Sequence, residues 1–239
     1  MKGVDRIAQE DLSAMHNATL NPILLLRRSF EVVGPIYWPL LILASPGFIL
    51  AIVTELTPLF GGILNLAYVL IVAPILGGAA LWLVDQHLKR QAPLLGNSLN
   101  RAVSKAVPLV FGSILAGLLS FLASILLIIP GIYVGVKLAF TFCAIALENQ
   151  GTTGGLRYSW NLVKGRWWGV FWALLIGGFI LSFGVGLIVV LVSRVVADFG
   201  DSVVNVVRTA AGTAGVPILW VYLVLLFRSL QRLKGQAAS

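Results

Sequence analysis

Residues 168–193 read WGVFWALLIGGFILSFGVGLIVVLVS, twenty-six consecutive positions without one charged side chain. A helix that crosses the hydrocarbon core of a bilayer needs about 20 apolar residues. This stretch exceeds that length, and no ordinary soluble domain buries such a run. The segments around it repeat the pattern. Apolar stretches occupy about 36–55, 61–84, 107–129, 132–147 and 213–228. The fourth is short for a crossing, and the first half of the last consists of small residues such as Ala210, Ala211, Gly212 and Ala214. Over all 239 residues, 59% are hydrophobic and 11% are charged. Soluble domains carry about 25% charge, so a water-soluble globule is excluded. Disorder is excluded as well, because it needs low hydrophobicity and high charge.

The spacing therefore predicts an all-α, polytopic transmembrane bundle of about six spans. Residues 1–25 form a polar N-terminal segment, 26–233 one transmembrane domain, and 234–239 a tail. Pro39 and Pro46-Gly47 predict a kink in the first span. Pro130-Gly131 marks a turn between the third and fourth.

The basic residues give the orientation. With six spans, one side receives Lys2, Arg6, Arg27, Arg28, Lys89, Arg90, Arg101, Lys105, Arg157, Lys164, Arg166, Arg228, Arg232 and Lys234. The other receives Arg194 and Arg208, balanced by Asp198 and Asp201. Bases accumulate on the cytoplasmic side, so both termini are expected there, and a bacterial inner membrane is the expected location. The net charge of +8 follows from these flanks. No basic stripe stands apart from the apolar segments, and nucleic acid is not an expected partner. Arg27-Arg28-Ser29-Phe30 also fits a twin-arginine export signal. A cytoplasmic flank of the first span is the favoured reading.

Three basic stretches read alike: Leu26 to Val33, Leu99 to Ala106 and Leu156 to Val163. Each spaces apolar residues at i, i+3 or i+4 and i+7, with bases between. That is the pattern of a short helix lying at a membrane surface. Each precedes a pair of spans, so the chain reads as three copies of an interfacial helix plus a transmembrane hairpin.

One of these stretches lies within a longer ordered series. It runs Ile129-Pro130-Gly131-Ile132-Tyr133, then Val136-Lys137-Leu138, then Ala146-Leu147-Glu148. It ends with Leu156-Arg157-Tyr158-Ser159-Trp160-Asn161-Leu162-Val163-Lys164-Gly165-Arg166-Trp167-Trp168. The series resembles the membrane domain of glycerophosphoryl diester phosphodiesterases and the related uncharacterised bacterial six-span proteins. In enzymes of that family the chemistry belongs to a separate soluble barrel, which this sequence does not contain. The resemblance thus implies a membrane fold and not phosphodiesterase activity.

Catalytic material is sparse. His16 and His87 show no metal-ligand spacing with the lone Cys143 or with paired carboxylates. The run Asp85-Gln86-His87-Leu88-Lys89-Arg90 reads as solvated or lying at headgroup level. No nucleophile elbow or phosphate loop appears. Neither a cofactor nor a metal is expected, and the chain is read as non-enzymatic.

Three sets of residues remain as candidates. Lys137 is a charge inside a span, which is expensive and therefore a candidate site. Five or so residues past the Pro-Gly turn, it is expected near the outer surface, within reach of Glu55, Asp198 or Asp201. Arg157, Trp160, Lys164, Arg166, Trp167 and Trp168 combine bases with aromatic rings, as an interface anchor or a lipid headgroup site would. Gly112, Ala116, Ser120 and Ser124, and Gly178, Ser182 and Gly186, are small residues four apart, suited to helix packing within the chain or between partners. The expected function is a scaffold, assembly or accessory subunit of a membrane complex, or a role in lipid organisation. A transporter or permease component for a small or anionic solute is the alternative. The expected partners are the lipid bilayer, other proteins of a membrane complex, or further copies of the chain.

Overall fold

The computed structural model describes residues 20–92 and 94–236, and they form no strand. Among the described residues, twelve segments follow one another along the chain. Helix α1 spans Pro22–Leu56, α2 Pro58–Ala67, a π-helical turn Tyr68–Val72, and α3 Ala73–Leu88. Then come α4 (Leu95–Ser104), α5 (Ala106–Leu126), α6 (Ile128–Leu138), α7 (Thr141–Leu147) and α8 (Thr152–Val163). Helix α9 spans Trp167–Val195, and α10 closes the chain at Asp201–Gln236 after a short 3₁₀ turn. Among the described residues, six stretches are long and apolar enough to cross a membrane: Pro22–Thr54, Phe60–Leu88, Ala106–Ile125, Ile128–Leu147, Trp167–Val195 and Val203–Gly235. The chain is an all-α, multi-pass membrane bundle.

The first span starts earlier than its apolar run. Asn21 caps α1, its side-chain oxygen accepting from the Ile23 and Leu24 amides at 3.0 and 3.5 Å. Pro22 occupies the first helical position, where its missing N–H costs nothing. Leu25, Leu26, Ser29, Val33, Ile36 and Leu40 are all buried. They recur every three or four residues, so the amphipathic stretch 26–33 is in phase with the buried stripe of the span. It continues that span as one helix, whereas the sequence reading made it a separate surface helix. The second and third repeat stretches fall on separate short helices, α4 and α8. Proline does not interrupt α1. Pro46 cannot donate to the Ile42 carbonyl, and the Ser45 hydroxyl donates to it instead at 2.8 Å.

Helices α1, α3, α7, α8 and α10 enclose the core, where Leu40, Leu83, Val84, Phe140, Ile145, Tyr222 and Phe227 are almost completely buried. Helices α5, α6 and α9 sit around it. Helix α9 has a mean hydropathy of 2.7, yet only 6% of its most apolar window is buried. That outer surface would be untenable in water and is ordinary against lipid.

Candidate functional site

The site begins at a break. Between α6 and α7 the fourth span loses its helical ladder at Ala139-Phe140. Freed backbone groups inside a span need partners. Ser159 of α8 supplies both: its hydroxyl donates to the Lys137 carbonyl at 2.7 Å and accepts from the Phe140 amide at 3.1 Å. Close approach of α8 makes this contact possible. A side chain at Gly155 would strike Ile145 and the Thr141 carbonyl. Gly155, Ser159, Leu162 and Val163 form the buried face of α8. Arg157, Trp160 and Lys164 are exposed on another face, at i, i+3 and i+7.

Lys137 is 3% exposed. Its ammonium lies 5.6 Å from the centre of the Tyr133 ring and 5.4 Å from that of Trp160. Both contacts are within cation–π range. The other charges acting on it are Lys164 and Lys234, both cations. Among the described residues no carboxylate pairs with it. Lys137 was expected near the outer surface, its side chain snorkelling outward or paired with Glu55, Asp198 or Asp201. It lies instead beneath Trp160, among the bases of α8 and the C-terminal helix, because the break lets α8 fold back along α6. Asp198 is exposed on the 3₁₀ turn. The side chains of Glu55 and Asp201 fall outside the described residues.

The intramembrane charge and the aromatic–basic cluster are thus one site. Tyr133 meets Trp160 edge-on at 6.1 Å and stacks on Trp167 at 5.6 Å. The Trp167 indole donates to the Tyr133 carbonyl at 3.3 Å and stacks on Phe171 at 5.1 Å. Trp168 packs edge-on against Trp167 at 4.8 Å and stays 67% exposed. Arg166 donates to the Leu233 carbonyl at 3.3 Å, and Lys234 to that of Asn161. Gly165, between Lys164 and Arg166, has φ +86°. An L side chain is strained there, which explains the glycine in the Lys-Gly-Arg turn.

An apolar groove of about 500 Å³ adjoins this cluster. Leu119, Leu122 and Ala123 of α5, Val134 and Leu138 of α6, and Leu156 of α8 line it, together with Arg157 and Trp160. A smaller hollow of about 270 Å³ lies among Leu20, Gly165, Arg166, Trp167, Trp168 and Gly169.

Sequence reasoning missed a second polar cluster. Arg228 of α10 donates through Nε and Nη2 to Asp85 Oδ1 at 2.7 and 2.6 Å. Its Nη1 reaches Glu148 at 2.5 Å and Gln231 at 2.7 Å. Gln231 in turn donates to the Tyr158 hydroxyl at 2.6 Å, and Lys89 lies 2.7 Å from Asp85 Oδ2. Asp85 is buried, not solvated. The signal was present, because Asp85 keeps helical phase with Leu81, Val84 and Leu88. The network ties α3, α7, α8 and α10 together and commits Asp85 and Glu148 to Arg228.

The small-residue stripes fare differently. Gly112 meets Ile145 closely, Ser124 meets Gly131, and Ser120 lies near Gly135. Ala116 is half-buried between them. On α9 the tight contact is one residue earlier than expected, at Gly177, where a side chain would strike Tyr222. Gly178 and Gly186 face open space, and Ser182 is exposed.

Among the described residues, no three histidine, cysteine or acidic side chains group as metal ligands would. What this end of the bundle offers is cations, ring faces and a hydrocarbon-lined groove. That combination attracts an anion beside a slot for an acyl chain. Compared with family models, with curated proteins and with solved structures, the chain finds no match.

Proposed function

We propose that the protein is a non-enzymatic integral membrane protein that organises lipid or assembles a membrane complex. On this reading it sits in a bacterial inner membrane with both termini cytoplasmic, as the basic bias of its ends implies. The observation that carries the proposal is how its buried charge is housed. Lys137 is buried, with the rings of Trp160 and Tyr133 within 5.4 and 5.6 Å of its ammonium. The groove beside it is apolar and is lined by α5, α6 and α8. Helices α4 and α8, short and partly polar, are the elements suited to lie at the surface. The sequence resemblance of residues 129–168 to the phosphodiesterase membrane domain implies a membrane fold, and no hydrolytic role is proposed.

A specific observation favours transport as the second reading. The fourth span is broken at Ala139-Phe140, next to its only charge. Discontinuous helices bearing polar groups are the building blocks of many transporter sites. The two readings part on one experiment. Extraction into native lipid particles, followed by mass spectrometry, is expected to recover a stoichiometric protein partner or one enriched lipid class. Recovery of neither, with solute flux in reconstituted vesicles, would replace organisation by transport.

A further inference from the structure

We infer that the groove between α5, α6 and α8 is a binding site for an anionic phospholipid. One acyl chain fills the groove, and the phosphate rests on Arg157 beside the Trp160 ring. The inference rests on the organising role proposed above and names its ligand. Two independent observations point to it. The first is shape and polarity: about 500 Å³ lined by leucine, valine and alanine, with Arg157 the one charged side chain. That is the form of a hydrocarbon chain with an anion at one end.

The second is uncompensated charge. Lys137 lies behind Trp160, buried and without a carboxylate among the described residues. Lys164 and Lys234 add to its field. Among the described residues, Asp85 and Glu148 are held by Arg228, and Glu31 by Arg27. A cation taken out of water without a counter-ion is costly. An anion held at Arg157 supplies that counter-charge across the indole. Trp160 thereby serves the groove and Lys137 at once. Lys137 is a positioning residue here, acting through the field and not by contact.

The test uses the purified full chain, equilibrated with mixed micelles of phosphatidylglycerol and phosphatidylcholine with identical chains. Bound lipid is counted by native mass spectrometry. Wild type is expected to retain phosphatidylglycerol in clear excess. Arg157→Gln should cut that excess about five-fold, the effect of one base near an anionic surface, and leave phosphatidylcholine unchanged. Lys137→Met, which removes the charge but keeps the volume, should lower it again while the protein still melts cooperatively. Leu122→Trp, on a lipid-facing wall of the groove, should displace both lipids. Arg27→Gln, on α1, should change nothing. Glycerol 3-phosphate, which has no acyl chain, should not compete. Equal retention of the two lipids, or the same loss from Arg27→Gln as from Arg157→Gln, would overturn the site. Competition by glycerol 3-phosphate would overturn it in favour of a free phosphoester. Failure of the organising role would read differently: solute flux in vesicles, with the phosphatidylglycerol excess intact.

Discussion

Ser159 carries more than its size suggests. One hydroxyl satisfies a carbonyl and an amide that the broken span would otherwise leave unpaired. A buried polar group without a partner costs about 1–3 kcal/mol. Ser159→Ala should therefore destabilise the protein by about that amount, read as a lower melting temperature in detergent. An unchanged melt would mean that another group holds the break. Ser159 stands in the third repeat stretch, yet its role is not readable there, because its partners lie about twenty residues back, on a different helix. Lys137 was legible as a candidate from its charge alone. Its surroundings were not, since spacing from the Pro-Gly turn locates it along a straight span, and the span is not straight.

At the scale of elements, apolar length located the six crossings well, because bilayer thickness fixes it. Boundaries were harder. The sequence reading started the first crossing near residue 36, although Asn21-Pro22 is a sound helix start and 25–40 share one buried stripe. Periodicity alone did not separate a surface helix from the polar end of a long span. Within the chain, α9 packs on a register that spacing alone did not single out. Small residues four apart occur at Gly178, Ser182 and Gly186, yet Ala173, Gly177 and Leu181 are the buried ones. The two adjacent glycines make the contrast testable. Gly177→Val would drive a side chain into Tyr222, whose hydroxyl donates to the Ala173 carbonyl at 2.6 Å. Overpacking of this kind costs about 1–3 kcal/mol. Gly178→Val, facing open space, should stay within about 0.5 kcal/mol of wild type. Thermal melts of the two variants check the register, and a larger loss at 178 than at 177 would contradict it.

For the molecule as a whole, composition announces the membrane and says little about what is done there. The packed half of the bundle, with the Asp85–Arg228–Glu148 network, lies beside a looser half of α5, α6 and α9 that turns apolar surface outward. The aromatic–basic site stands where the two meet, and only the tertiary fold assembles it. On the proposed reading its buried charge, Lys137, is sealed from water. Amine labelling of the native protein tests this most directly. Membrane vesicles of both orientations are treated with a water-soluble acylating reagent, and the modified lysines are mapped by mass spectrometry. The account predicts that Lys164 and Lys234, both exposed, are modified while Lys137 stays intact in either orientation. Modification of Lys137 at a rate matching theirs, from either side, would contradict it and make transport the better reading.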